Sequence, residues 1–334
     1  MIINTKAYAR AGLVGNPSDG YNGKTISLII RDFAAEVILY ETPELEISMG
    51  VQDRLKFKNI DQLVEDVSLN GYYGGLRLIR ATIFKFYKYC KDNDIELEEK
   101  NFTIRYHTNI PRQVGMAGSS GIITATLRAL MAFYQINIPK EIQPNLILSV
   151  EIDELGITAG LQDRVIQVYE GLVYMDYNKK YFNKSGFGKY EYLDPALLPP
   201  IYMAYKTNLR KISGKLHTSL RTRFDRGEKL VVEAMDYFAN LADQARECLL
   251  NHEPHKLKDI IDANFNKRQE IMDITPPNME MVEVARSCGA SAKFAGSGGA
   301  IIGTFEDDDM YWKLVGNLSE IGAKVLRPLV MERN

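Results

Sequence analysis

The sequence predicts an α+β fold, and three observations indicate this class. Stretches rich in apolar and β-branched residues open the chain, and a glycine-rich loop later leads directly into an apolar helical segment. Helical and strand-like segments continue to the end without the regular alternation of a βαβ repeat. With 334 residues, 46% of them hydrophobic, the chain is long enough for about two domains with sizeable cores.

The first part of the chain is predicted to begin with strands and to continue with helices. Its β-branched runs favour strands, whereas apolar residues spaced three and four apart favour helices. Pro144 near the start and Gly156 after the end delimit one of these helices. The predicted elements are strands at 7–14 and 25–40, a helix within 71–92, a strand at 102–107, helices at 120–134 and 144–155, and a strand at 165–175.

Turn-forming residues are densest at 179–200, which contains Gly186, Gly188 and three prolines. We therefore predict a boundary between an N-terminal domain, residues 1–195, and a smaller α+β C-terminal domain, residues 196–334. The elements predicted beyond the boundary are a strand at 201–205, helices at 227–251, 257–271 and 277–288, a glycine cluster at 296–303, a helix at 309–321 and a strand at 323–329.

Charge and cysteine content bear on the classes of partner. The 41 basic and 43 acidic residues leave a net charge of −2, so no overall positive field attracts nucleic acid or an anionic membrane. The three cysteines are odd in number and far apart, which indicates a reducing compartment rather than a disulfide framework. We find neither a signal-peptide pattern nor an uncharged apolar run of about 18 residues. A cytoplasmic protein without nucleic-acid or membrane partners is therefore expected.

The glycine-rich segment PRQVGMAGSSG, residues 111–121, has the composition of a phosphate-binding loop. Its glycines let the backbone fold tightly around an oxyanion, and the N–H groups at the start of the following helix add the positive end of a dipole. It is not a Walker A loop, because no Gly-Lys-Ser/Thr closes it, and it lacks the G-x-G-x-x-G spacing. An ordinary strand-to-helix turn with a serine cap would have a similar local sequence.

Two further segments, RAGLVGNPSD at 10–19 and KFAGSGGAIIG at 293–303, also place glycines where a strand meets a loop. In order and spacing, the three segments resemble the three signature motifs of the GHMP kinases. The resemblance implies a GHMP kinase fold, with an N-terminal domain like ribosomal protein S5 domain 2, a ferredoxin-like C-terminal domain, and ATP bound between them. The segments GNPSD at 15–19, 154–176, and SGKLHTSLR at 213–221 resemble glucuronokinases and related sugar 1-kinases.

The resemblance also implies residues for ATP, Mg²⁺ and catalysis. Ser120 and Glu151 match the serine and glutamate that hold Mg²⁺, and Glu154 is an alternative ligand. Asp163 matches the catalytic aspartate that receives the hydroxyl proton, and Arg10 matches the basic residue beside it. The predicted contacts to the ATP phosphates are Pro111, Gly115, Gly118, Ser119, Ser120, Gly121, Gly296 and Gly298.

Likeness to sugar 1-kinases implies a sugar acceptor that is phosphorylated at its anomeric hydroxyl. Asp19 matches an acceptor-binding aspartate, and Tyr21 and Asn22 follow it in the same loop. A uronic acid such as glucuronate would also need an arginine or lysine for its carboxylate. The candidates, each of which could instead belong to a solvated basic face, are Arg164, Lys215, His217 and Arg221. Another sugar, a sugar phosphate, a mevalonate-like acceptor, or a catalytically silent sugar- or nucleotide-binding sensor of the same fold are the alternatives.

Overall fold

The computed structural model describes residues 1–48, 54–70, 76–207 and 220–330. The chain forms two compact units that interleave along the sequence. Unit one comprises Met1–Ala9, Phe33–Ile110 and Gly118–Val168, and unit two comprises Arg10–Asp32, Pro111–Ala117 and Tyr169–Asn334. This division follows packing, so the domain boundary after residue 195 stays a prediction.

The sheet of unit one has the strand order β4-β3-β5-β2. Its strands are the second half of β2 (Lys24–Thr42), β3 (Leu45–Ser48), β4 (Arg54–Phe57) and β5 (Asn101–Thr108), and β1 (Ile2–Val14) also pairs with β2. β2 pairs antiparallel with β5, with Ala35 opposite Thr108, and β5 pairs in parallel with β3. In β5 the side chains of Phe102 and Ile104 are buried and that of Arg105 is exposed, as in a sheet with one covered face.

Helices cover this sheet in unit one. They are α1 (Ile60–Asn70), α2 (Arg77–Asp92), α3 (Gly118–Tyr134), α4 (Gln143–Ser149) and α5 (Gln162–Tyr169). The sequence of α3 is apolar on nearly every side, and Ile123, Leu130 and Phe133 are fully buried. The Phe133 ring meets the edge of the Phe102 ring, with ring centres 5.3 Å apart. The predicted phosphate loop therefore runs into a helix that the core holds firmly.

Unit two contains the first half of β2, which pairs antiparallel with β6 (Leu172–Asp176), and β6 pairs with β7 (Lys189–Leu193). A second, antiparallel sheet has the order β11-β8-β10-β9. Its strands are β8 (Ile201–Tyr205), β9 (Lys293–Phe294), β10 (Ala300–Thr304) and β11 (Lys324–Leu326). The helices of unit two are α6 (Lys179–Ser185), α7 (Lys229–Leu250), α8 (Leu257–Ile271), α9 (Pro276–Ser287) and α10 (Asp308–Glu320). Tyr202, Phe265 and Leu314 lie in the hydrophobic core of this unit.

The predicted α+β class is confirmed, and most predicted elements are present with shifts at their ends. The helix expected within 71–92 is α2, although residues 71–75 lie outside the described ranges. The confirmed strands are those predicted at 7–14, 25–40, 102–107, 201–205 and, in shorter form, 323–329, and the confirmed helices are those at 120–134, 227–251, 257–271, 277–288 and 309–321. The sequence analysis gave no element for α1, β3, β4, α6, β7, β9 or β10, and it described the region of the last two only as a glycine cluster.

Two predictions of secondary structure need correction. The strand predicted at 165–175 is wrong in its first half, because α5 continues to Tyr169 before β6 begins. Val165 and Ile166 are fully buried within that helix, and a short apolar run surrounded by core does not distinguish helix from strand. The helix predicted at 144–155 is present from Gln143 to Glu154, but its last part, Val150–Glu154, is π-helical rather than α-helical.

Within the described ranges, no helix is long and apolar enough to span a membrane. Cys90, Cys248 and Cys288 are buried free thiols. Burial raises the pKa of the Cys90 thiol to about 11.

Candidate active site

The first turn of α3 carries the serines of the predicted phosphate loop. Gly118 begins the helix, and Ser119, Ser120 and Gly121 follow. Ser120 is buried, whereas Ser119 is half-buried and donates a hydrogen bond from its Oγ to Oε1 of Glu151 at 2.7 Å. The helix start therefore combines backbone N–H groups and two hydroxyls with a carboxylate held directly beside them.

Glu151 lies in the π-helical turn after α4 and is 1% exposed. Its Oε1 accepts the bond from Ser119, and its Oε2 forms an ion pair with Nη2 of Arg164. Arg164 belongs to the first turn of α5 and also donates from Nη1 to the carbonyl oxygen of Gly160 at 2.8 Å. A carboxylate and a guanidinium thus neutralise each other inside unit one.

Asp163, the predicted catalytic aspartate, precedes Arg164 in the first turn of α5. Its side chain is 21% exposed, and its Oδ2 lies 3.5 Å from Nη1 of Arg164. The Asp163 carboxylate is therefore reachable from outside unit one's core, and it stands next to a cation that Glu151 also engages.

Glu154, the alternative metal ligand, has a different neighbour. Its Oε1 lies 3.2 Å from Nζ of Lys85 on α2, and Asp153 binds the same ammonium at 2.8 Å. Burial lowers the pKa of Lys85, but hydrogen bonds to Asp153 and Glu154 outweigh this effect and raise the pKa above its ordinary value. Because a π-helical turn is wider than an α-helical one, a spacing of three residues does not place Glu151 and Glu154 side by side.

Arg10, the predicted basic residue of the catalytic pair, is buried among the glycine segments of unit two. Its Nη1 donates to the carbonyl oxygen of Gly115 at 2.5 Å and to that of Ala295 at 3.0 Å. A Cβ added at Gly296 would lie 2.2 Å from the oxygen of Gly115 and 2.8 Å from Nη1 of Arg10. Only glycine fits at position 296, so two motifs that are 181 positions apart in the chain pack closely around one guanidinium.

Left-handed backbone conformations shape these glycine segments. Gly115 has a φ of +70° and Gly298 a φ of +119°, angles that residues with side chains rarely adopt. A Cβ at Gly115 would also lie 2.9 Å from the amide nitrogen of Ser297. Pro111, which opens the first loop, is half-buried.

The predicted acceptor loop is a short 3₁₀ helix, Ser18–Tyr21, in unit two. Asp19 is half-buried there, and Asn22 follows in a left-handed conformation. Arg221 donates from Nη1 to the carbonyl oxygen of Gly20 at 3.0 Å, and its guanidinium lies 5.6 Å from the centre of the Tyr21 ring. Burial raises the pKa of Tyr21 to about 12, although the Arg221 charge opposes this shift. The structure thus brings Arg221 into contact with the predicted acceptor loop.

Of the other predicted acceptor residues, one lies in unit one and two lie outside the described residues. Arg164 belongs to unit one, where it pairs with Glu151. Lys215 and His217 lie outside the described residues.

The sequence analysis missed a buried lysine in unit two. Lys293 is 1% exposed and donates from Nζ to the carbonyl oxygen of Gly12 at 2.7 Å, to Oδ1 of Asn16 at 2.6 Å, and to the carbonyl oxygen of the following residue at 2.9 Å. Burial lowers the pKa of Lys293 well below its ordinary value, and the charges of Arg268 and Arg10 lower it further. Lys293 is the first residue of the third motif, and its place in that motif could have identified it as a site residue.

Arg268 and Asn264 of α8 were missed as well. Arg268 donates from Nη1 to the carbonyl oxygen of Gly296 at 3.0 Å, and Oδ1 of Asn264 accepts from the amide of Gly15 at 2.7 Å. Burial lowers the pKa of Arg268 to about 10, an effect that the Asp19 carboxylate opposes. Both residues stand on the apolar stripe of α8, and polar residues on an otherwise apolar helix face were the available signal.

The donors at the start of α3 fit Mg²⁺. This ion prefers hard oxygen ligands and keeps several waters, so one hydroxyl and one carboxylate suffice beside the phosphates. A carboxylate offers about four lone-pair positions, and the bonds from Ser119 and Arg164 use two of those on Glu151. Among the residues that the structure describes, no group of three or more His, Cys, Asp or Glu side chains is placed to hold a metal. Ser120 and Glu151 therefore stay the predicted ligands of Mg²⁺, with Glu154 as the alternative.

Comparison with known proteins identifies the family. Residues 78–171 match the sequence signature of the GHMP kinases N terminal domain. Over 306 residues the chain is 44% identical to Glucuronokinase 1 of Arabidopsis thaliana, a match that covers 90% of this chain and 84% of that protein. The chain belongs to the GHMP kinase family. This GHMP kinase is accordingly an ATP-dependent kinase of small-molecule alcohols, and the predicted likeness to glucuronokinases is confirmed.

Solved structures confirm the fold of this GHMP kinase. A Listeria innocua protein, Lin0012, superposes with a TM-score of 0.84 at 15% identity, covering 99% of this chain and 98% of that one. Lactococcus lactis galactokinase, solved in complex with galactose, superposes with a TM-score of 0.81 at 15% identity, covering 99% and 94% of the two chains. At such low identity these neighbours show the fold, and the roles of the individual site residues stay predictions.

Proposed function

We propose that this GHMP kinase transfers the γ-phosphoryl group of ATP to the anomeric hydroxyl of glucuronate or a closely related uronic acid. The 44% identity to a protein named Glucuronokinase 1 supports this acceptor class. The observation that carries the proposal is the position of Arg221, whose guanidinium bonds Gly20 at 3.0 Å within the loop of Asp19 and Tyr21. A sugar held by this loop would have a cation within reach of its carboxylate.

Arg221 is suited to bind a carboxylate. Its side chain is 56% exposed, and its present partner, Asp225 at 3.0 Å, is equally exposed. Surface pairs of this kind contribute about 0–1 kcal/mol, so a substrate carboxylate can replace Asp225 at little cost. A guanidinium also presents two parallel N–H groups, which match the two oxygens of a carboxylate. Lys215, His217 and Arg164 stay predicted alternatives for this contact.

The proposed catalytic roles follow the predicted residues. Asp163 receives the proton of the acceptor hydroxyl as the bond from that oxygen to phosphorus forms, and Arg10 stabilises the negative charge of the transferring group. Ser120 and Glu151 would hold Mg²⁺, which when bound would supply positive charge to the phosphates of ATP. The glycine segments at 111–121 and 296–298 bind the phosphates through their backbone N–H groups.

An acceptor screen tests the proposed function. ADP release from Mg-ATP is measured with glucuronate, galacturonate, glucose, a sugar phosphate and mevalonate, and the product is examined by ³¹P NMR. We expect turnover with a uronic acid and the signal of an anomeric phosphate. Preference for a neutral hexose or for mevalonate contradicts the uronic-acid proposal, and ATP binding without turnover on any acceptor supports a silent sensor instead.

A substitution at Arg221 tests the carboxylate contact. A charge-assisted hydrogen bond contributes about 1.5–3 kcal/mol, so Arg221→Gln should lower kcat/KM for glucuronate about 10- to 100-fold and change kcat/KM for glucose little. Arg226→Gln is the matched control, because Arg226 is an exposed arginine of the same segment and its loss changes the net charge equally. Equal losses of kcat/KM for glucuronate and for glucose would show that Arg221 does not bind the carboxylate.

A further inference from the structure

We propose that Arg164 is a positioning residue for Glu151, which it holds in the orientation needed to bind the divalent metal. This inference rests on the proposed function, in which Glu151 is a Mg²⁺ ligand. It assigns Arg164 to the nucleotide and metal side of the reaction rather than to the acceptor carboxylate.

The geometry fixes both oxygens of the Glu151 carboxylate. Ser119, on the first turn of α3, donates to Oε1 at 2.7 Å, and Arg164, on the first turn of α5, pairs with Oε2. Two partners on two different helices leave the carboxylate a single orientation. The lone pairs that these bonds do not use are the ones available to a metal ion.

Because the side chains of Glu151 and Arg164 are both buried, each charge needs the other as its partner. The Glu151 side chain is 1% exposed and the Arg164 side chain 5%, so water compensates neither charge. A buried carboxylate that loses its cation must rotate, recruit water or change its charge, and each of these alters its ability to bind a metal. By contrast, the exposed pair of Arg221 and Asp225 has no such constraint.

An arginine at position 164 can make several contacts at once that a lysine could not make. The guanidinium of Arg164 has Nη2 on Glu151, while Nη1 donates to the carbonyl oxygen of Gly160 at 2.8 Å and lies 3.5 Å from Oδ2 of Asp163. A planar fork makes these contacts in fixed directions, whereas the single ammonium of lysine is one point charge. Arg164 thereby ties the predicted metal ligand to the turn that carries the predicted base.

Metal binding without turnover tests this role. Mn²⁺ affinity is measured by electron paramagnetic resonance on the full-length enzyme with a non-hydrolysable ATP analogue and no acceptor. We expect Arg164→Gln and Arg164→Lys to weaken Mn²⁺ binding at least about tenfold, since an unsupported ligand loses its preorganisation. Lys85→Gln is the matched control, because it removes the ion pairs of Asp153 and Glu154 in the same turn and leaves the pair of Glu151 with Arg164 in place. It should leave Mn²⁺ affinity within about twofold of the wild-type value, on the order expected when no metal ligand loses its partner.

Kinetics separate positioning from acceptor binding and from a purely structural role. In the Arg164 variants the Mg²⁺ requirement should rise while the ratio of kcat/KM for glucuronate to that for glucose is unchanged, and added guanidinium ion should restore part of the Mn²⁺ affinity of Arg164→Gln. Unchanged Mn²⁺ affinity overturns the inference, with or without a fall in the glucuronate-to-glucose ratio. If Arg164→Gln does not fold, the Arg164→Lys variant decides by the same readouts. Because Mn²⁺ binding needs no acceptor, an enzyme inactive on every uronic acid would refute the proposed function and still test Arg164.

Discussion

Replacing Gly296 with alanine should disable this kinase while leaving most of its fold intact. The new Cβ would lie 2.2 Å from the carbonyl oxygen of Gly115, and ordinary contact begins at about 3.4 Å, so the two backbone segments must separate by roughly 1 Å. The same movement disturbs the 2.5 Å bond from Arg10 to Gly115. A misplacement of about 1 Å can cost about 100-fold in rate, which corresponds to about 2.7 kcal/mol of transition-state stabilisation.

The assay compares kcat and KM for ATP and for glucuronate in Gly296→Ala and in Gly316→Ala. Gly316, in α10, is the control because a Cβ there meets nothing within 4 Å and its φ is ordinary. Alanine at that position should be neutral or slightly stabilising. Thermal unfolding of both variants shows how much of any loss is a loss of fold. A Gly296→Ala enzyme within about threefold of the wild-type rate would refute the reasoning from packing.

Further outcomes are expected for substitutions of three acidic residues and for the reactivity of Cys90. Asp163→Asn should lower kcat about 10²- to 10⁴-fold with ATP affinity nearly intact, as measured by turnover and nucleotide titration, because the proposed role of this side chain is to accept the proton of the acceptor hydroxyl. Glu151→Gln should raise the Mg²⁺ requirement more than Glu154→Gln does, since Glu154 bonds Lys85 instead of Ser119; an equal or larger effect at Glu154 would reverse the assignment. Burial raises the pKa of Cys90 to about 11, so its thiol should resist iodoacetamide at pH 8 until the chain is unfolded, and the stability it contributes should be present below about pH 9 and lost as the pH rises through 11.

The fold could be predicted where the hydrophobic periodicity is clear and turn-forming residues mark the ends of an element. The helix at 257–271 begins and ends as predicted because its apolar stripe has a clear helical period. Prediction failed at 165–175 because Val165 and Ile166 are buried on all sides, which removes the period that separates helix from strand. The helix predicted through Ser149 was found, but its π-helical end, Val150–Glu154, could not be predicted, because apolar spacing does not distinguish one wide turn from an α-helical one.

The residues of the candidate site that lie within the glycine motifs were predictable from the sequence. The glycines at 115 and 296 stand out in the sequence, and their tight approach explains why no other residue fits at 296. The partners of the charged residues were not predictable, because they join segments far apart in the chain. Arg164 shows this well: as an arginine next to Asp163 it suggested an acceptor contact, and its pairing with Glu151 became visible only when the fold was known.

Three buried basic side chains lie among the glycine segments of unit two, in a chain whose net charge is only −2. Arg10, Arg268 and Lys293 donate to oxygens of the glycine segments and of Asn16 in unit two. Those oxygens are neutral acceptors, and the bonds to them hold the three side chains in place. Because screening is weak in a protein interior, buried cations exert a stronger field on a nearby phosphate or carboxylate than exposed ones do. Burial lowers the pKa of Lys293 and that of Arg268, because a buried site disfavours the charged form. We propose that this cluster attracts an anionic group of a substrate. Arg10 and Lys293 belong to the sequence motifs, whereas Arg268 joins them only through the fold, and the net charge gave no sign of the cluster.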